Sequence, residues 1–262
     1  MKALMNSALG TKEANIVKIK QHNELLSSDN PCLHKQGASD MNLIKSSAKI
    51  VVNPTLLKNK DLLELLQLTC DELVEISGSL KLAESMPTLM VDDSMAIELI
   101  NGFLFSQIND KNENMGELAL TRIVSKNFQK FDRIYIFVLE YTMMGKAVIE
   151  SPVMKCGSIL INILLTLPSC CTLQMVYHPL TLGQKLIAIF DRQSLMMNKL
   201  RFYPLDASMG LLINLPSLNY IHGCVIQSNY KNLFAFIKSN DPEMQSKNYQ
   251  EARDYMQNKQ CF

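Results

Sequence analysis

Apolar and polar positions alternate with two different periods along this chain. After a polar stretch, Lys49–Val52 reads as a first strand and Asn53-Pro54 stops it. From Asp61 the run DLLELLQLTCDELVEISG places Leu62, Leu65, Leu66, Leu73 and Ile76 on one helical stripe. Asp61 and Glu64 stand at capping-box spacing and Gly78 follows as a stop, so the pattern predicts one helix over the whole run. Asp92-Asp93-Ser94 offer caps for a second helix, Met95–Ile108, while 118–124 fits either helix or strand.

From Phe131 the period shortens. Ile134, Ile136 and Val138 alternate with Tyr135, Phe137 and Leu139 in a run apolar on both faces, which predicts a central strand. An edge strand at 147–154, holding Pro152, follows, then strands over Ser158–Leu167, Lys185–Phe190, Leu200–Tyr203, Leu211–Leu215 and Ile221–Gln227. Helical character returns over Tyr230–Lys238 and Pro242–Gln260. The expected fold class is α+β with a mainly β core, an antiparallel jelly-roll-like sandwich carrying flanking helices. The expected units are a basic flexible arm over 1–55, a helical segment over 56–130, the β-sandwich over 131–228 and a helical tail over 229–262.

Composition changes this picture little: 47% hydrophobic and 19% charged residues suit a packed chain. Charge distribution says more than the net +1. Residues 1–60 hold nine lysines against four acids, and 61–130 hold five bases against twelve acids, a basic arm ahead of an acidic block. Seven cysteines without a CxxC spacing point to free thiols. Cys32 with His34 and His222 with Cys224 lack the spacing of structural zinc pairs, so neither metal nor cofactor is expected. No early segment has the form of a secretory signal, and no run is long and apolar enough to span a bilayer.

The motifs of common enzymes are missing: no nucleophile elbow, P-loop, dinucleotide fingerprint or HExxH. The chain therefore reads as a binding protein rather than an enzyme. Phe202-Tyr203 and Tyr135 supply rings that stack bases where exposed, and Lys146, Lys155, Lys185, Arg192, Lys199 and Arg201 supply cations for a single strand's phosphates.

The order AVIESPV, GSILINI, KLIAIFDR, RFYPL resembles the core of the 30K superfamily of plant-virus movement proteins. Asp191-Arg192 match its acid closing a hydrophobic strand, Gly157 the glycine opening an earlier strand, and Pro204 the proline after an aromatic strand. The resemblance implies a non-enzymatic jelly-roll protein binding single-stranded nucleic acid or a viral nucleocapsid without sequence preference. It also implies self-association, peripheral membrane attachment, host plasmodesmal or membrane protein partners, and residence in the host cytoplasm and at plasmodesmata, as in a plant negative-strand RNA virus. In it, Asp191 would be a structural determinant. The alternative is a viral matrix or assembly protein, whose basic arm would meet anionic lipid instead.

Overall fold

The computed structural model describes residues 45–140, 167–239, 241 and 244–258. They form a six-stranded mixed sheet flanked by helices, an α+β arrangement. The strands are β1 (Ser46–Val52), β2 (Cys70–Glu75), β3 (Leu89–Met90), β4 (Met95–Asn101), β5 (Arg133–Leu139) and β6 (Cys171–Val176), in the order β2-β1-β3-β4-β5-β6. β1 and β2 run parallel, as do β4, β5 and β6, and the two-residue β3 pairs antiparallel with both β1 and β4. Five strands thus share one direction and one carboxyl edge.

This corrects the expectation of an antiparallel jelly-roll sandwich. Four of the six strands precede residue 131, so the sheet does not respect a division there. Parallel neighbours need long crossovers, and among the described residues α-helices lie between β1 and β2 and between β4 and β5. The helices are α1 (Lys60–Thr69), α2 (Leu80–Ala83), α3 (Met115–Asn127), α4 (Pro179–Phe190), α5 (Ala207–Ile213), α6 (Tyr220–Asn229), α7 (Leu233–Lys238) and α8 (Lys247–Asn258).

Several expected elements change type for identifiable reasons. The helix expected through Ile76 ends at Thr69, because Cys70–Glu75 finds a parallel partner in β1, with Ile50 opposite Leu73. Met95–Asn101 is a strand rather than a helix: Asp92 accepts from Ser94 N–H, Ser94 Oγ and Met95 N–H, and so closes a turn instead of capping a helix. Lys185–Phe190 is the last half of α4, started by His178, whose Nδ1 accepts from Leu180 N–H, and by Pro179 in the first turn. At Gly183 α4 lies against α1, and a Cβ there would meet Leu65 and Thr69 carbons at 3.5 Å, an ordinary packing distance. The expected strands at 211–215 and 221–227 are the end of α5 and most of α6, and 200–203 is extended chain outside the sheet. Lys49–Val52, Ile134–Val138 and the two tail helices stand where the sequence puts them.

The sheet separates two cores. Ile50, Val52, Leu89, Ile97 and Phe137 face α1 and α4, where Leu66, Leu182 and Leu186 are wholly buried. Val51, Met90, Ala96, Ile134 and Ile136 face the opposite way, toward Leu120 of α3 and Met209, Ile213, Tyr220 and Ile221 of α5 and α6. Removing a fully buried Leu side chain from such a core costs about 2–5 kcal/mol. A third cluster, Leu212, Leu218, Ile226, Phe236, Tyr249, Ala252 and Met256, holds α5–α8 together.

That helical unit docks through named polar groups. Asn219 caps α6 and donates from Nδ2 to the carbonyls of Asp93, 2.8 Å, and Lys130, 3.0 Å. Lys130 Nζ donates to the Ile213 carbonyl. His222 is buried, set edge-on to Tyr249 and 3.9 Å from the Asp93 carboxylate, and burial pushes its pKa down to about 4.

Candidate functional site

Two places on the sheet gather chemistry-bearing side chains. The first is a groove of about 510 Å³ at the carboxyl edge, between β1 and β4, where the chain leaves the sheet in opposite directions. Ligands of open parallel sheets commonly bind at such a switch point. Asn53, Thr88, Glu98, Arg122 and Lys126 line it.

The polar groups of the groove are spent on one another. Glu98 sits in mid-β4 on the face toward α3 and is 5% exposed. One carboxylate oxygen accepts from Asn127 Nδ2 at 2.7 Å, the other from Thr88 Oγ1 at 2.6 Å and Thr88 N–H at 3.0 Å. Asn53 donates to the carbonyls of Ala83, Met86 and Pro87, and its Oδ1 accepts from Thr55 N–H and Oγ1. Lys126 Nζ donates to the Met86 carbonyl, and burial holds its pKa below the usual lysine range despite the opposing charge of Glu98. No cluster of three or more His, Cys, Asp or Glu able to hold a metal ion occurs among the described residues. The arrangement ties the loop before β3 to β1, β4 and α3.

The second place is the connector 191–206 between α4 and α5. Its start is fastened by Gln193, whose amide substitutes for a neighbouring strand where the short β3 has ended. Oε1 accepts from Lys49 N–H at 2.9 Å, while Nε2 donates to the carbonyls of Lys49 at 2.6 Å and Val91 at 2.5 Å. Ser194 N–H donates to Asp92 Oδ2 at 3.2 Å. Met196, Met197, Leu200, Phe202 and Tyr203 then pack on the core shared with Val51 and Met90. The far end is pinned where Leu205 N–H donates to Ser77 and its carbonyl accepts from Ser79, with Gly78 at φ +132 alongside. A Cβ on Gly78 would lie 2.6 Å from the Leu205 oxygen, so only glycine fits there.

Met196, Met197, Leu200, Phe202 and Tyr203 face inward, whereas Leu195, 82% exposed, lies outside with the connector's cations. Arg192, Lys199 and Arg201 are exposed. The Arg201 guanidinium lies 5.3 Å from the Tyr203 ring centre, and Lys49 Nζ lies 5.6 Å from that of Phe202 while pairing with Glu72 at 3.0 Å. Phe202 and Tyr203 are half-buried, with the Lys49 and Arg201 cations over their respective rings. The result is a run of cations interleaved with rings.

Of the sequence-predicted site residues, the structure brings Arg192, Lys199, Arg201, Phe202 and Tyr203 onto this one segment. Lys185 is apart from them on α4, donating to Gln174 Oε1 of β6 at 2.7 Å. Gly157, Lys146 and Lys155 lie outside the described residues. Asp191 does not close a strand: it is the exposed residue after α4, donating its backbone N–H to Ile187, and Pro204 is exposed in the connector. Sequence reasoning missed Glu98 and Gln193. A lone acid inside the apolar run MAIELI is a usable signal for the first, because a buried carboxylate requires donors; nothing local marks the second.

No protein-family model matches the chain, and no curated protein does. Among solved structures it is similar to XPF from Aeropyrum pernix at 11% identity over 80% of this chain and 96% of that one. The TM-score is 0.33, a likeness too slight to carry an argument about fold or activity.

Proposed function

We propose that this protein binds single-stranded nucleic acid without catalysis, along the 191–206 connector. The observation that carries the reading is the interleaving at Lys199–Tyr203: exposed cations beside half-buried rings, on a backbone pinned at both ends. Phosphates meet Arg192, Lys199 and Arg201, and bases stack on Tyr203 and Phe202. Because the segment is held by Gln193, Ser194 and Leu205, little ordering entropy is lost on binding. Every base offers a π-face to such rings, so the mode discriminates poorly between base sequences.

Carriage of a viral genome or nucleocapsid between plant cells is a wider role that such binding would serve. That role rests on the resemblance, whose strand KLIAIFDR is helix α4 here, and the connector reading stands without it.

The test is a titration of fluorescent single-stranded oligonucleotides with the full chain at several salt concentrations. Binding that falls steeply with salt, and loses about 1.4 units of log–log slope in the Lys199→Glu, Arg201→Glu double variant, supports the reading. Equal binding by the double variant overturns it.

A further inference from the structure

Cys170 and Cys171 open β6, the outer strand of the sheet beside β5. Neighbouring side chains of a strand point to opposite faces, which normally separates adjacent sulfurs. Here the pair straddles a turn: Cys171 N–H donates to the Pro168 carbonyl at 2.9 Å, so Cys170 is still in the turn while Cys171 has entered the strand. The two sulfurs stand 3.9 Å apart, and both residues are partly exposed. Cys70 and Cys224, by contrast, are buried, and burial pushes their thiols up to about 12 and about 11.

We infer that Cys170 and Cys171 form a vicinal dithiol, a modification site that a hydroperoxide closes to a disulfide and that a trivalent arsenical bridges. The chemistry balances in two steps. The Cys170 sulfur takes oxygen from the hydroperoxide, giving a sulfenic acid and releasing the alcohol or water; the Cys171 sulfur then displaces hydroxide from it, the thiol proton leaving as part of that water. Two thiols lose two electrons and two protons, and the peroxide is reduced. Burial and the neighbouring sulfur push the Cys171 thiol up to about 12, which disfavours it as the first attacker and leaves that step to Cys170. The sulfurs must approach from 3.9 Å to about 2.05 Å, a movement the turn absorbs. The Cys170 carbonyl accepts from Ile134 N–H at 2.8 Å, so closure of the ring strains the first rung between β5 and β6.

The experiment uses the full chain carrying Cys156→Ser, since Cys156 lies in the same tryptic fragment, Cys156–Lys185. After hydrogen peroxide, that fragment is expected to lose about 2 Da, to recover with dithiothreitol, and to keep its mass in added Cys170→Ser or Cys171→Ser. A second arm needs neither oxidant nor a further variant: phenylarsine oxide added to the reduced chain is expected to bridge the pair, one arsenic per fragment. Stepwise oxygen addition to both sulfurs, bonding of either to Cys32 or Cys261, or failure of the arsenical to bridge them overturns the inference.

Discussion

The groove at the carboxyl edge and the connector crossing the sheet hold similar residue types and put them to opposite use. In the groove, Glu98 and Asn53 are buried, Lys126 is half-buried, and each is matched to a partner within the chain. On the connector, Arg192, Lys199 and Arg201 project into water while the backbone beneath them is fastened. A polar group already satisfied in a low-dielectric site gains little from a ligand and loses much when its partner is removed. An exposed cation costs nothing to keep and gains from any phosphate that displaces its counterions. The switch point of the sheet is thus a joint here, and the proposed binding surface belongs to a loop.

The largest break in that comparison comes from Glu98→Ala. It leaves the buried Asn127 amide and the half-buried Thr88 donors without an acceptor, and at about 1–3 kcal/mol for each abandoned group, at the low end where water reaches Thr88 from the groove, the loss is on the order of 3 kcal/mol. In a chain of this size that lowers the melting temperature by roughly 6–12 °C. Glu98→Gln keeps an acceptor and is expected to cost about half as much. Oligonucleotide affinity of the folded fraction stays unchanged; a selective loss of binding would make the groove the site.

Acid tests the docking of the helical unit next. His222 has a folded pKa of about 4 against an ordinary 6.5, so the unfolded chain takes up the proton first as pH falls. Stability therefore declines between about pH 6.5 and 4, by at most about 3 kcal/mol. Asp93, held above the ordinary carboxylate range by burial and then by Asp92, works in the other direction over its own raised interval. Urea midpoints at pH 7 and pH 5 measure the balance, and His222→Gln is expected to flatten the decline. A pH dependence left unchanged by His222→Gln would mean that His222 is hydrated in the folded chain.

Two of the six strands were legible, and the reasons for the rest are physical. β1 and β5 declare themselves because a strand buried on both faces needs an unbroken apolar run, and KIVV and IYIFV have one. β2 and β4 do not. CDELVE carries a helical stripe in continuity with α1 and becomes a strand through pairing with β1, a partner that local pattern cannot see. MAIELI is short and apolar, and length alone does not separate a buried helix from a central strand. The same ambiguity hides α4 and α6, whose apolar faces are wide because each packs on several sides. The connector's cations and rings were legible as residue types. That they would share one pinned segment depended on Gln193 and Ser194 reaching residues about a hundred positions away.

The binding surface is tested by charge. Lys199→Glu with Arg201→Glu removes two phosphate contacts and adds two repulsions, so affinity at moderate salt is expected to fall by about tenfold or more, equivalent to about 1.4 kcal/mol. The melting temperature is expected to stay within a degree or so, because exposed charges away from a buried network contribute little. Tyr203→Leu separates stacking from charge: it should weaken binding about fivefold while leaving the salt slope intact. A reduced slope in that variant would mean the ring acts by holding Arg201.

The smallest effect is the most informative about how the two regions differ. Gln193→Ala removes the amide that takes Lys49 N–H and serves the carbonyls of Lys49 and Val91. Those backbone groups lie where water can reach once the side chain is gone, so the cost to stability is expected near 1 kcal/mol, well below that of Glu98→Ala. Affinity, however, should also fall, by about threefold, because the connector must then be ordered by the ligand. The groove variant lowers stability without touching affinity, whereas this one lowers both by small amounts. An affinity unchanged in Gln193→Ala, alongside a large loss in the charge-reversed pair, would show that the cations bind without preorganisation and that the fastened backbone serves the fold alone.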